Sequence, residues 1–217
     1  MLLAHRLYSY VYQPNITLNE KSEQFIYIPT GSGFRDVVGI LSDNGLLIDA
    51  NSFEWVSERK NYKRNIKAGR YFINREMSNN ELVNMLRSAN QVPIDIHFHN
   101  IKTKKELAGK IANQIEADSI SILSILSDST FLDTNKFTPE NINSIFIPNT
   151  YEFYWNTSAE QFINRILKEH QTFWNRERVR KAKDKGLRQT EVSTLASIVE
   201  SESFMKDERP IIARLYL

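Results

Sequence analysis

The sequence predicts an α+β fold, with a small β-α-α-β module over residues 21–91 and a mostly helical portion over residues 92–217. Two observations predict it. Residues 24–75 run through strand, helix, helix and strand patterns in turn, and from residue 158 onward nearly every stretch keeps helical spacing. A third supports them: 41% apolar and 25% charged residues in a 217-residue chain are ordinary globular values, enough to build a core. Residues 1–20 read as an N-terminal arm, and the boundary between the two larger parts falls near residues 90–93.

The elements follow in order. Residues 24-QFIYI-28 form a strand that breaks at Pro29, Gly31 and Gly33. Phe34, Val37, Val38 and Leu41 keep helical spacing, and 43-DNG-45 stops that helix. Asp49 is placed to cap a helix over 50-ANSFEWVSERKNY-62. Residues 66-IKAGRYFINR-75 return as a strand. Ser78 and Glu81 have capping-box spacing for a helix over 78–90. In 93-PIDIHFHN-100, Ile94, Ile96 and Phe98 alternate with polar residues, as in a half-buried strand. Thr103 and Glu106 repeat the capping-box spacing before a helix over 103–117. Residues 118–144 are rich in Ser, Asp, Thr and Asn, with a short apolar piece, 120-ISILSIL-126, and 127–144 reads as a loop. Residues 145-IFIPNTYEFYWNTS-158 are an extended aromatic segment with a Pro-Asn turn. Helical patterns then cover 158–186, 188–203 and 207–217.

Composition excludes some chemistry. With no cysteine there is no disulfide, thiolate zinc site or cysteine nucleophile. A net charge of +2 is too weak to argue for nucleic acid. No stretch approaches the roughly 18–20 apolar residues that span a bilayer. Tyr8, Tyr10 and Tyr12 could sit in an interfacial aromatic belt as the trailing end of a membrane helix. An arm packed on the domain is the favoured reading.

Three motifs have ordinary explanations. His97 and His99 share a strand face that zinc could use, but no third ligand stands at sensible spacing. The basic run 176-RERVRKAKDKGLR-188 reads as the solvated end of a long helix, where cations complement the dipole. A helix-turn-helix reading fails because the helix after it ends in acid and would repel phosphate. The stretch 28-IPTGSG-33 lacks the third glycine of a dinucleotide loop and the Lys of a P-loop, so it is a turn.

The stretch 190-TEVSTLASIVESES-203 carries the candidate chemistry. With Val192 at zero and about 100° per residue, Leu195 and Val199 fall at about −60° and −20°. Glu202 falls at about −80°, inside this apolar stripe, and Glu200 at about +80°, on its margin. Ser203 falls at about +20°, under the stripe's centre. Glu202 is therefore expected to be desolvated and to hold its proton unusually well. Such an acid can protonate a leaving group, the chemistry of glycosidic cleavage. Acidic residues ending a solvent-exposed last turn are the plain alternative. The helix dipole disfavours two glutamates there.

The last third of the chain resembles the MltG/YceG-like family of endolytic murein transglycosylases. The residues 195-LASIVESES-203 are similar to the family's LASIVEKET, 146-FIPNTYEF-153 to its FPDTYEF, and 208-ERPIIARLYL-217 to a stretch that continues into Asn-Arg-Leu. In the first half, 26-IYIPTGSGFRDVVGILSDNGLL-47 resembles its LysM-like module and 67-KAGRYFI-73 the end of that module. The resemblance implies a LysM-like module followed by an incomplete lytic-transglycosylase-like catalytic domain. It implies an enzyme of the bacterial cell envelope, anchored in the inner membrane by an N-terminal helix missing from this chain. Its partners would be peptidoglycan glycan strands, with cell-wall synthases as further candidates, and no nucleic acid, metal or other cofactor.

In such enzymes one glutamate protonates the oxygen between N-acetylmuramic acid and N-acetylglucosamine, then takes the proton of the muramyl C6 hydroxyl to close a 1,6-anhydro ring. The resemblance and the wheel place that role on Glu202, with Glu200 and Ser203 as supporting groups or, for Glu200, the alternative acid. Asn149, Thr150, Tyr151 and Glu152 match the aromatic motif and are candidates for the glycan groove. Asn149 replaces the family's Asp, which puts any charge-dependent role there in question. The family continues beyond the position of Leu217, so a truncated and weak or inactive chain is expected. A non-catalytic peptidoglycan-binding or scaffold module is the competing reading.

Overall fold

The computed structural model describes residues 2–18, 23–97 and 103–217. They form two compact units. The first holds Met1–Asp95, Gln114–Glu116 and Glu152–Thr157; the second holds Ile96–Asn113, Ala117–Tyr151 and Ser158–Leu217.

In the first unit, α1 (Leu2–Tyr12) precedes β1 (Glu23–Ile28), α2 (Phe34–Asp43), α3 (Ala50–Arg59), β2 (Gly69–Asn74) and α4 (Asn79–Arg87). β1 and β2 pair antiparallel, with Ile26 opposite Tyr71 and Phe25 opposite Phe72. Alternation then puts Ile26, Ile28, Tyr71 and Ile73 on one face, where all four are buried. Val37 and Leu41 of α2, Phe53 and Val56 of α3, and Leu82 and Leu86 of α4 close the core over that face. Burial pushes the Tyr71 phenol up to about 12.

The caps expected from sequence are present. Asp49 accepts from the backbone N–H of Asn51 and Ser52. Ser78 Oγ accepts from Glu81 N–H, and Glu81 Oε2 accepts from Ser78 N–H at 2.8 Å. These hydrogen bonds hold the Glu81 carboxyl below its ordinary range. At 28-IPTGSG-33, Ser32 N–H donates to Pro29 O, and Gly31 has φ +85°, a turn conformation that glycine adopts without strain.

The N-terminal arm docks on this unit through buried amides. Asn15 Nδ2 donates to Asn79 Oδ1 (2.8 Å) and Asp49 O (2.9 Å), while Asn79 Nδ2 donates to Ser52 Oγ and Tyr10 O (both 2.9 Å). Two later segments join the same unit. The Glu116 carboxylate accepts from Thr30 N–H (2.6 Å) and Thr30 Oγ1 (2.5 Å), and Trp155 packs edge-on against Tyr27. Among the described residues no helix is long and apolar enough to cross a membrane.

A second two-stranded sheet pairs β3 (Ile94–His97) with β4 (Thr150–Phe153). The helices of the second unit are α5 (Lys104–Ala112), α6 (Ser119–Ser127), α7 (Ser129–Asn135), α8 (Ala159–Phe173), α9 (Arg176–Asp184), α10 (Gln189–Glu202) and α11 (Arg209–Tyr216). Leu107 and Ile111 of α5, Ile122 and Leu126 of α6, and Phe162, Ile163 and Ile166 of α8 are buried here.

Two expectations are corrected. The tract 127–144 is not a loop throughout. Asp128 accepts from Phe131 N–H to start α7, as Asp118 accepts from Ser121 N–H to start α6 over the apolar piece. A 3-10 turn at Ile142–Ile145 follows. Nor is 158–186 one long helix. α8 ends at Phe173, and Asn175 accepts from Arg178 N–H to start a new helix. The basic run is thus α9, with Arg176 and Arg178 in its first turn and Lys181 and Lys183 in its last, where cations complement the dipole.

Candidate active site at the end of α10

α10 starts where Arg188 N–H and the Arg188 side chain both bond Glu191, which lowers the Glu191 carboxyl below its ordinary range. Along its length only Val199 is buried; Val192 and Leu195 are half-buried and Ile198 is exposed. The helix packs on α9, α11 and the 3-10 turn at Ile142–Ile145.

Glu202 is the last helical residue, and it is exposed. This corrects the expectation of a desolvated acid. The wheel position of Glu202 is on the apolar stripe, but the stripe is only half covered, so lying on it does not remove water. No hydrogen bond or ion pair engages Glu202 among the described residues. Glu200 is also exposed, and its Oε1 lies 4.0 Å from an Arg209 guanidinium nitrogen. An exposed pair at that separation contributes little to stability.

Ser203 is the buried member of the trio, at 7% exposure. Its backbone has left the helix, with φ −145° and ψ 134°. Ser203 Oγ accepts from Met205 N–H at 3.0 Å and donates to Glu208 Oε2 at 2.6 Å. Arg209 Nε donates to Ser203 O at 3.3 Å. The structure therefore gathers Glu200, Ser203, Glu208 and Arg209 in one turn. Glu208 and Arg209 were absent from the sequence-derived site. The only signal for them was their position opening the 208-ERPIIARLYL-217 motif.

The aromatic-motif candidates alternate along β4. Tyr151 is buried and its hydroxyl donates to Ile147 O at 2.7 Å. Burial, reinforced by the negative Glu169, pushes its phenol up. Asn149, Thr150 and Glu152 are exposed. Asn149 Oδ1 accepts from Thr150 N–H at 2.8 Å, and Thr150 Oγ1 lies 2.8 Å from His97 Nδ1. Asn149 thus serves as a side-chain acceptor in this turn without needing a charge. Tyr151 faces the interior, so the positions open to a ligand are Asn149, Thr150 and Glu152. His99, the other half of the His-x-His pair, lies outside the described residues.

A mixed α+β chain with a two-stranded module and an exposed glutamate closing a helix is the class defined so far. The profile of the YceG-like family matches residues 26–217, and the chain belongs to that family. Two curated relatives are each an endolytic murein transglycosylase of Streptococcus pneumoniae, from strains D39 and R6, 22% identical over 243 aligned residues. The alignment covers 96% of this chain and 43% of each relative, so the chain spans less than half of their length. A crystal structure of a YceG-like protein from Listeria monocytogenes is 23% identical, covering 88% of this chain and 67% of that one with a TM-score of 0.47.

Proposed function

We propose that this chain is the part of an endolytic peptidoglycan lytic transglycosylase that carries its acid, Glu202. The observation that supports Glu202 over Glu200 is its position: it ends α10 exposed and without an ion pair, while Glu200 faces Arg209. The family and its murein-cleaving relatives supply the substrate class, a glycan strand of alternating N-acetylmuramic acid and N-acetylglucosamine.

The reaction needs one carboxyl group in two roles. Protonated, Glu202 gives its proton to the glycosidic oxygen as the bond to the muramyl C1 breaks. The resulting carboxylate takes the proton of the muramyl C6 hydroxyl, whose oxygen bonds C1 and closes the 1,6-anhydro ring. The proton is returned and no water is consumed. An exposed carboxylate is hydrated in the free protein. A strand lying over α10 displaces that water, and a carboxyl group in a dry site keeps its proton better. The site belongs in the cell envelope, where glycan strands are, with membrane anchoring and synthase partners as part of the same reading.

The test uses the chain extended to the length of its relatives: this extended chain and its Glu202→Gln and Glu200→Gln variants are incubated with uncrosslinked glycan strands. Anhydro-ended products are read by mass spectrometry. Glu202→Gln should lower product formation by about 10²–10⁴-fold, the usual range for a general acid-base group, and Glu200→Gln should not. Loss with Glu200→Gln alone assigns the acid to Glu200. No product from the unaltered chain, with retained binding to insoluble peptidoglycan, replaces the enzyme with a wall-binding module.

A further inference from the structure

We infer that Glu208 and Arg209 are positioning residues for Glu202, acting through Ser203; the inference rests on the catalytic reading of Glu202. The last carbonyls of a helix have no partners within it, so something outside must hold its end. α10 has no left-handed glycine after it. Ser203 is extended instead, and side chains from the start of α11 hold it on two sides. Glu208 Oε2 accepts from the Ser203 hydroxyl at 2.6 Å, and Arg209 Nε donates to the Ser203 carbonyl at 3.3 Å. The same hydroxyl accepts from Met205 N–H.

The bracket is built on a stiff element. Glu208 O accepts from Ile211 and Ile212 N–H at 2.9 and 3.0 Å, so its backbone already belongs to the first turn of α11. Pro210 stands in that turn with its φ fixed. The surroundings make Ser203 the fixed point of an otherwise open turn. Glu202 before it is exposed, and Phe204 after it is 95% exposed. Holding the Ser203 backbone sets where the preceding Cα–Cβ bond of Glu202 points. Arg209 also has a guanidinium nitrogen 4.0 Å from Glu200 Oε1, a weak exposed pairing that places the same side chain between the turn and the competing carboxylate.

Acid-base transfer is sensitive to displacements of about 1 Å, which can cost on the order of 10²-fold in rate. The experiment compares Ser203→Ala, Ser203→Thr, Glu208→Ala, Glu208→Gln and Arg209→Lys with the unaltered chain, all in the form extended to the length of its relatives. It reads anhydro product against strand concentration, amide exchange at Met205, and thermal unfolding. Ser203→Ala and Glu208→Ala should lower kcat by about 10–100-fold with KM within about threefold, and Met205 exchange should quicken in Ser203→Ala. Ser203→Thr keeps the hydroxyl and Glu208→Gln keeps an acceptor oxygen, so both should restore most of kcat. Unchanged kcat in Glu208→Ala and Arg209→Lys overturns the positioning role and leaves Glu202 as the acid. A kcat loss that tracks a lowered Tm and is not rescued by Glu208→Gln overturns it as well, assigning a structural role only. No product from the unaltered chain fails the catalytic reading itself, and the positioning role falls with it.

Discussion

α2 and α10 carry similar apolar spacing and meet different fates. Val37 and Leu41 of α2 are fully buried, whereas Val192 and Leu195 of α10 are only half-buried and Val199 alone is buried. Around α2 the module closes on itself: Phe53, Tyr62 and Tyr71 have no exposed surface. Around α10 and α11, Phe204, Ile211 and Leu215 are 95%, 65% and 81% exposed. Helical periodicity says which residues share a face. It does not say that another surface arrives to cover the face. That difference is why Glu202 lies on an apolar stripe and is still in water.

The comparison can be broken at its strongest point first. Phe53→Ala empties a fully buried site in the module and should cost about 3–5 kcal/mol, measured by urea unfolding with Trp55 fluorescence. A cost below about 1 kcal/mol would mean that the module is no better packed than the α10–α11 hairpin. Asn79→Ala comes next. It leaves Asn15, Ser52 and the Tyr10 carbonyl without their buried partner, and should cost about 1–3 kcal/mol and loosen α1. Quicker amide exchange confined to α1 and the segment up to Ile16 would show that loosening directly.

A pH experiment sharpens the contrast within the second unit. His170 is 5% exposed, packs against Phe137 and Trp174, and its Nε2 has no hydrogen-bond partner. Burial lowers its pKa from 6.5, so the unfolded chain binds the proton more readily than the folded one. Its contribution to stability is fully present above about pH 6.5 and is lost as pH falls through the depressed folded value. His170→Phe should remove that part of the acid dependence, seen as a flatter plot of stability against pH. A plot unchanged from the parent would place the titration elsewhere. The smallest effect is expected at Phe204. Phe204→Ser removes a ring that is 95% exposed and should change stability by no more than about 0.5 kcal/mol.

Much of the fold could be read from local signals, because those signals are local in physics. Asp49, Ser78, Thr103 and Ser158 cap the helices that follow them through hydrogen bonds two or three residues long. The strand patterns at 24–28 and 66–75 are local too, and both strands form, as β1 and β2. Reading 127–144 as loop failed because Ser, Asp and Asn favour loops, when Asp128 is the cap of α7. The break between α8 and α9 was missed for the same reason, since Asn175 was read as helix interior rather than as a cap.

The candidate site divides along the same line. The residue types at the end of α10, and their likeness to a glycan-cleaving family, are properties of the chain itself. So is the order strand, helix, helix, strand of the module. The engagement of Glu200 by Arg209, the hold of Glu208 on Ser203, the burial of Tyr151 and the exposure of Glu202 were decided by tertiary structure. Each depends on which surface comes to lie against a given side chain. Sequence spacing assigns the face, and only the folded neighbours determine whether water remains on it.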